Sequence, residues 1–304
     1  MPKRATNLEL LLQYIDSVEK NISEQTKKTY TQISNNLPFS VLISQPTIIK
    51  KLNELYPNPN TKSLYLNMII LVRRKNQEPT DKLIKYRNSL RDDIIKIRKD
   101  KMSQTKSTLP SYADIMMRLN ELGGIRYIIN YLFINHGLRN KDVNLKIVTK
   151  LPKEKEDENY LVLGKKHVKL DINDYKTDKT FGNKQIIITD KKFIDELKSL
   201  KLNHNDYLLA KKNGEKLKLS SFNEKIISLS IDKLGEAKIF KILIGHLLDK
   251  KDFNKIEELV GSRGTSMTTI LKSYNIYSNS DNDSEKTIKT MKADMEEHKN
   301  NDSE

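Results

Sequence analysis

Cysteine and tryptophan are absent from this sequence of 304 residues, and glycine and proline are scarce, with 10 and 8 residues. Without cysteine there is no disulfide framework, no thiolate zinc site and no cysteine nucleophile. No apolar run approaches the length of about 18 residues that a membrane-spanning helix needs, which excludes a polytopic membrane protein. The N-terminal Met-Pro-Lys-Arg has no apolar signal region behind it. We therefore expect an intracellular protein that is not secreted and does not bind a membrane.

Motifs for metal and nucleotide chemistry are also missing from the sequence. The five histidines show no i, i+4 spacing and no accompanying carboxylate rhythm. Neither a G-x-x-x-x-G-K-[ST] loop nor a G-x-G-x-x-G loop is present. We therefore expect no metal and no cofactor.

Positive charge is the most prominent feature that the sequence does have. The 55 Lys and Arg exceed the 40 Asp and Glu, which gives a net charge of +15. The tail, residues 279–304, carries a net charge of −4 and is predicted to be mostly disordered. Residues 1–278 therefore carry +19, which favours a polyanionic partner, nucleic acid above all.

Helical patterns fill residues 7–103, the first predicted domain. Apolar spacing and capping residues predict helices at 8–15, 23–37, 61–75 and 79–101, and another that opens at Gln45-Pro46. In the helix at 61–75, four residues are predicted to face inward: Leu64, Met68, Leu71 and Val72. The polar residues 104–109 are the predicted linker between a domain at 1–103 and a second at 110–278.

The second domain combines two kinds of pattern. Two apolar helices are predicted at 112–122 and 125–135, and more at 191–201 and within 220–277. Between them, alternating residues predict strands at 160–163, 167–172 and 184–189. The predicted fold class is therefore mostly α with a small antiparallel β-sheet, here three-stranded and inserted in a helical body.

Four segments of the second domain are informative through their order, although each alone is typical of an ordinary structural element. They are Gly137-Leu138-Arg139 with Asp142; a basic hairpin at 174–184 with Lys176 and Lys179; an apolar helix that opens with Lys238 and Lys241; and a turn, Gly264-Thr265-Ser266, with Tyr274 nine residues after Thr265.

In this order the segments resemble the catalytic domain of the tyrosine recombinase, or phage-type integrase, family. That family has G-L-R-x-x-[DE], a hairpin Lys, H-x-x-R on a buried helix, L-G-H-[ST] in a turn, and a Tyr nine residues after that His. Here Lys238 and Lys241 replace the H-x-x-R pair, and Thr265 replaces the turn histidine. Arg263, in the same turn, is a candidate substitute for the missing arginine.

The resemblance covers about residues 8–278, because the helix with Thr26 and Tyr30 is similar to the family's core-binding domain. It implies a two-domain clamp, in which a helical core-binding domain is joined to an α+β tyrosine-recombinase catalytic domain. The implied protein is a site-specific recombinase or integrase of a virus or mobile element. The Lys/Asn/Ile-rich composition, typical of an AT-rich genome, agrees with that origin.

The resemblance also implies a metal-free reaction, DNA cleavage through a 3′-phosphotyrosine intermediate. Tyr274 would be the nucleophile, with Tyr277 the competing candidate, and the nine-residue spacing favours Tyr274. Arg139 would contact the phosphate, because a guanidinium is planar and permanently charged. Lys176 or Lys179 would protonate the departing oxygen. The remaining assigned site residues are Lys241, Arg263 and Thr265.

Double-stranded DNA is the expected partner, held mainly through its phosphates between the two domains. The predicted contacts are Lys27, Lys28, Arg73, Arg74, Arg87 and Lys238, with the hairpin lysines. The resemblance further implies a tetramer on paired DNA sites. Two alternatives remain open: a DNA-binding protein on the same scaffold that has lost cleavage, and a generic basic helical scaffold.

Overall fold

The computed structural model describes residues 6–17, 22–106, 108–153, 158–175 and 177–274. The chain divides into two compact units, residues 1–104 and 105–304. Within the described ranges, no helix combines the length and the apolar character that crossing a bilayer would require.

The first unit is helical. Its elements are α1 Asn7–Ser17, α2 Glu24–Asn36, α3 Gln45–Leu55, α4 Pro59–Lys75 and α5 Asp81–Lys106, and α5 includes the first three residues of the predicted linker. Ser23 and Ser44 cap α2 and α3, because each side chain accepts a hydrogen bond from the backbone N–H three residues on. Proline stands in the first turn of α3 and of α4, where a missing N–H costs nothing.

Helix α4 contributes more buried residues to the core of the first unit than α1, α3 or α5 does. Leu11, Ile48, Leu52 and Leu66 are completely buried. The predicted inward face of α4 is partly wrong, because Leu64 is 40% exposed. The face is rotated, and Leu66, Ile69 and Ile70 of the same helix take part in the core.

The second unit is built of helices around one small sheet. Its longer helices are α6 Tyr112–Glu121, α7 Gly124–His136, α9 Lys191–Ser199, α10 Leu219–Leu229, α11 Glu236–Asp249, α12 Phe253–Arg263 and α13 Met267–Tyr274, with a short α8 at Asp178–Phe181. Buried residues occur on nearly every face of α7, from Tyr127 to Ile134. A helix that is apolar all round belongs in the interior, and α7 is the centre of this unit.

The sheet has four strands in the order β1 Leu145–Val148, β2 Asn159–Leu163, β3 Val168–Ile172 and β4 Lys184–Ile188. Strand β1 pairs parallel with β2, and the other two pairs are antiparallel. The fold class, mostly helical with a small sheet, is confirmed. The prediction of three strands in a purely antiparallel sheet is wrong, because four residues of mixed polarity are too few for a reliable periodicity and β1 was missed.

Candidate active site

The loop after α7 begins at Gly137, whose backbone lies in the left-handed region with φ of 60°. A Cβ atom at this position would lie 2.8 Å from the ring of Phe240. Both the backbone angle and the lack of space therefore require glycine. The next residue, Leu138, is completely buried and anchors the loop. Arg139 follows directly, partly exposed, so its position is fixed by the two residues before it.

Asp142 closes this loop. Its Oδ2 accepts a hydrogen bond of 3.0 Å from the backbone N–H of Arg139, and its own N–H donates to the carbonyl of Arg139 at 3.0 Å. The side chain is completely buried, and Oδ1 has no hydrogen-bond partner among the described residues. Burial raises the pKa of Asp142, and the charges of Lys184, Arg139 and Arg263 oppose that rise. The buried carboxyl group thus lies among the charges of three cations, Lys184, Arg139 and Arg263.

Asn159, at the start of β2, ties the loop to the end of β3. Its Nδ2 donates to the carbonyls of Lys141 at 3.2 Å and Asp174 at 3.0 Å, and more distantly to that of Asp142. Its Oδ1 accepts from the backbone N–H groups of Asn173 and Asp174 at 2.9 and 2.8 Å. A single buried amide therefore holds two separate loops together.

An Asn159→Ala variant should lose about 2–4 kcal/mol of unfolding free energy, because several buried backbone groups lose their partner at once. Urea unfolding followed by circular dichroism measures this. Asn203→Ala, at an exposed loop position, is the matched control and should stay within about 0.5 kcal/mol of wild type. Equal stabilities of the two variants would contradict the role assigned to Asn159.

Lys184, the first residue of β4, is buried with its ammonium group inside the cluster. Its Nζ donates to the carbonyl of Ser262 at 3.0 Å, lies 3.9 Å from Asp142 Oδ2, and stands 3.4 Å from the centre of the Tyr175 ring. Tyr175 is itself buried and donates to the carbonyl of Gly182 at 2.6 Å. Burial lowers the pKa of Lys184 to about 8.

Arg263, at the end of α12, is also buried, with 1% of its surface exposed. Its guanidinium donates to the carbonyl of Gly137 at 2.7 Å and to Glu236 Oε2 at 2.8 Å, and it lies 4.0 Å from the centre of the Phe240 ring. In return, Nη1 of Arg139 donates to the carbonyl of Arg263. The two segments are therefore joined in both directions.

The turn after Arg263 passes close to the β3–α8 connection. Gly264 has φ of 56°, and a Cβ atom there would lie 2.6 Å from the ring of Tyr175, so only glycine fits. The hydroxyl of Thr177 donates to the carbonyl of Gly264. Thr265 comes next and is 8% exposed. The turn is therefore held by the loop that also carries the ring beneath Lys184.

Helix α13 begins directly after this turn. The Ser266 hydroxyl accepts a hydrogen bond of 3.2 Å from the backbone N–H of Thr269, which caps the helix. Tyr274 is the last residue of α13, and its side chain is outside the described part of the structure.

The predicted basic hairpin contains a short helix. Strands β3 and β4 pair antiparallel, and α8 lies in the connection between them. Lys179 is in α8, but its side chain is not among the described ones, and Lys176 and Tyr277 lie outside the described residues. The proposed roles of these residues stay predictions.

Lys238 and Lys241 are both on α11. Lys238 is exposed and Lys241 is half-buried. Burial, and after it the charge of Lys238, lowers the pKa of Lys241. Lys241 follows Phe240, the residue whose ring packs on Arg263.

In the first unit, Lys28 and Arg74 are exposed and Arg87 is half-buried, so all three are compatible with the predicted phosphate contacts. The ammonium of Lys27 forms an ion pair of 2.9 Å with Glu24. An exposed pair of this kind is worth little and can exchange for a phosphate.

Arg73 is different, and its assignment as a phosphate contact is wrong. The side chain is 3% exposed. Its guanidinium donates to the carbonyls of Val41 at 2.7 Å, Ile43 at 2.8 Å and Pro79 at 2.9 Å, and to Glu78 at 3.2 Å. Its donors are thus directed into the unit, where they satisfy the backbone of two loops.

Sequence reasoning missed three residues of the site: Lys184, Asn159 and Glu236. A lysine at the start of a strand and an asparagine beside a turn are typical of the surface, so neither position gives a local signal. Glu236 gives no local signal either, because charged residues are frequent throughout the sequence. These residues become visible only when the distant segments that they join are placed together.

No model of a known protein family matches the chain, and no curated protein matches it. Among solved structures the chain is similar to the crystal structure of XerA recombinase, with a TM-score of 0.36 and 13% sequence identity over 95% of this chain and 98% of that chain. We therefore base the function on the residues of the site.

Proposed function

We propose that the protein cuts and rejoins double-stranded DNA through a covalent bond between a tyrosine and a 3′-phosphate. The observation that supports this is the bond from Arg139 to the carbonyl of Arg263. It places Arg139, a partly exposed residue, beside the turn that leads into α13, the helix that ends at Tyr274. A phosphate-binding group and a phenol are thus carried by neighbouring segments.

In the proposed step, the Tyr274 hydroxyl gives its proton to water, and its oxygen attacks the phosphorus of one phosphodiester. A bond from phosphorus to the tyrosine oxygen forms, and the bond to the 5′-oxygen breaks. The departing oxygen takes a proton from Lys176 or Lys179 and leaves as a 5′-hydroxyl. The phosphotyrosine conserves the bond energy, so a 5′-hydroxyl of another strand end can reverse the step and rejoin the DNA.

Arg139 supplies the charge that this step needs. The non-bridging oxygens gain negative charge as phosphorus becomes five-coordinate, and a fixed guanidinium stabilises that charge. Lys241 and Thr265 are proposed as further contacts to the same phosphate. Arg263 was a candidate for direct contact, but its burial and its bonds to Gly137 and Glu236 favour a positioning role.

An Arg139→Ala variant should cleave DNA about 10²–10³ times more slowly than wild type, because one fixed charge in the transition state is lost. Arg139→Lys should recover part of the rate, since an ammonium is a point charge without the planar fork. Single-turnover adduct formation on DNA measures both rates. A rate for Arg139→Ala within a factor of about three of wild type would contradict the assignment.

The test of the function uses randomised duplex DNA carrying random nicks, because the target sequence is not encoded in any readable motif. A cut close to a nick releases a short fragment, and the covalent complex cannot reverse. Incubation in EDTA, followed by denaturing electrophoresis, should show protein linked to DNA. Sequencing the trapped DNA gives the cleavage site, and peptide mapping identifies the modified tyrosine.

The lysines in place of the family's H-x-x-R pair, and Thr265 in place of its histidine, favour a second candidate function, DNA binding without cleavage. This candidate predicts salt-sensitive DNA binding and no adduct in the same experiment. If the protein does not bind DNA at moderate salt, both candidate functions are contradicted. In the first function, we further propose that several copies assemble on paired DNA sites, which crosslinking on the identified site would detect.

A further inference from the structure

Lys184 joins three segments that are far apart in the sequence. Its ammonium donates to the carbonyl of Ser262 on α12, lies 3.9 Å from Asp142 in the loop after α7, and stacks on the ring of Tyr175 before α8. Few lysines in folded proteins are as buried as this one, with 9% of its surface exposed. A buried lysine with three such partners needs an explanation.

Given the proposed cleavage reaction, we propose that Lys184 is a positioning residue whose ammonium holds the Arg139 loop and the turn before α13 in one fixed arrangement. The two segments carry the phosphate contact and the nucleophile. Lys184 contacts the turn before α13 through Ser262, which precedes this turn. It contacts the Arg139 loop through Asp142, which closes this loop. The proposal thus deepens the proposed function and depends on it.

Direct catalysis by Lys184 is less consistent with its surroundings. The ammonium faces a carbonyl, a carboxyl and an aromatic ring of the protein itself, and only the 9% exposed surface is open to DNA. We therefore expect Lys184 to affect the reaction indirectly, by fixing the positions of Ser262 and Asp142.

The charge state of Lys184 is set by the groups that face it. Burial lowers its pKa to about 8, Asp142 opposes that shift, and Arg139 and Arg263 add to it. Tyr175 is the remaining titratable group in contact with the ammonium, and burial raises the pKa of its phenol. Lys184 is therefore expected to lose its charge near pH 8.

The direction of this shift has a consequence for stability. The folded chain binds the Lys184 proton less tightly than the unfolded chain, whose lysine has the ordinary pKa of 10.5. The contribution of this group to stability therefore rises with pH from about 8 towards 10.5 and is lowest where the lysine is charged. The ammonium is carried at neutral pH at a cost in stability, which favours a role for its charge in function.

The experiment compares adduct formation by wild type, Lys184→Met and Lys184→Arg on the DNA site recovered by sequencing, from pH 6.5 to pH 9.5. At pH 7, Lys184→Met should cleave roughly 10–100 times more slowly, with DNA affinity within about threefold of wild type, because misplaced reacting groups lose rate and not binding. Lys184→Arg keeps the charge and should recover most of the rate.

The pH dependence of the cleavage rate distinguishes a positioning role of the Lys184 charge from general structural support by its side chain. The rate ratio of wild type to Lys184→Met should fall towards one with a midpoint near pH 8, because only wild type loses an ammonium there. Groups that lie far from Lys184 titrate alike in both proteins and cancel in this ratio. Lys212→Met removes an exposed lysine and serves as the control, with a ratio that does not change with pH.

Equal rates for wild type and Lys184→Met at pH 7, or a ratio without a midpoint between pH 7 and 9, would overturn the positioning role while the proposed function stands. No adduct from wild type at any pH overturns the proposed function, and this inference with it. If Lys184→Met fails to fold by circular dichroism, the ratio of wild type to Lys184→Arg gives the same test. That ratio should fall above pH 8, and a flat ratio contradicts the proposal.

Discussion

Tyr274→Phe should bind DNA as tightly as wild type and form no covalent adduct. The substitution removes one oxygen atom and leaves the ring, so the change affects the nucleophile and little else. No other group of the proposed site can replace a tyrosine oxygen in a 3′-phosphotyrosine bond, so the loss should be complete and not a reduction in rate. Denaturing electrophoresis of the nicked-DNA reaction measures the adduct, and filter binding measures the affinity.

Tyr277→Phe is the matched control, three residues further along the chain. It should form the adduct at the wild-type rate. An adduct that persists in Tyr274→Phe and disappears in Tyr277→Phe would identify Tyr277 as the nucleophile in place of Tyr274. Persistence in both variants would transfer the reaction to another of the 13 tyrosines, which peptide mapping of the adduct would identify.

Arg73→Met should destabilise the first unit by about 3–5 kcal/mol, although the substitution removes a charge from a strongly basic protein. The buried guanidinium satisfies the carbonyls of Val41, Ile43 and Pro79. Methionine fills similar space without a donor, so these carbonyls lose a hydrogen bond inside the unit. Hydrogen exchange of peptides from α4 should accelerate steeply, and exchange in α7 of the second unit should not change.

Arg74→Met tests the opposite expectation at the next position. Arg74 is exposed, so its loss should change stability by no more than about 0.5 kcal/mol and should reduce the salt dependence of DNA binding by about one phosphate contact. Arg73→Met with wild-type exchange in α4 and a reduced salt dependence would restore Arg73 as a phosphate contact.

The longer helices of the second unit could be predicted from the sequence because their apolar residues repeat with helical spacing, whereas the four-residue α8 was missed. Strands β2, β3 and β4 were predicted from alternation, while β1, with only four residues, gave too short a pattern. Arg73 was wrongly assigned as a phosphate contact for another reason. An arginine at the end of a helix is usually solvated, and the sequence does not record the two loops whose carbonyls surround Arg73.

Within the site, contacts between residues close in the sequence could be predicted, and contacts between distant segments could not. Gly137, Arg139 and Asp142 lie within six residues, so the turn, the cation and the closing carboxylate could be predicted together from one motif. The partners of Lys184 are residues 142, 175 and 262, which no spacing rule connects. Burial of this lysine depends on the contact between the start of β4 and the end of α12 and could not be predicted from any single segment.

The reciprocal hydrogen bonds between Gly137–Arg139 and Arg263 have one further consequence. Each segment supplies a side-chain donor to a main-chain carbonyl of the other. A movement of one segment that breaks one of these hydrogen bonds therefore also distorts the other hydrogen bond. Arg139 and the turn before α13 are therefore linked through two hydrogen bonds, and we expect them to move together. A rearrangement that shifts the start of α13 while the Arg139 loop stays in place would have to break both hydrogen bonds.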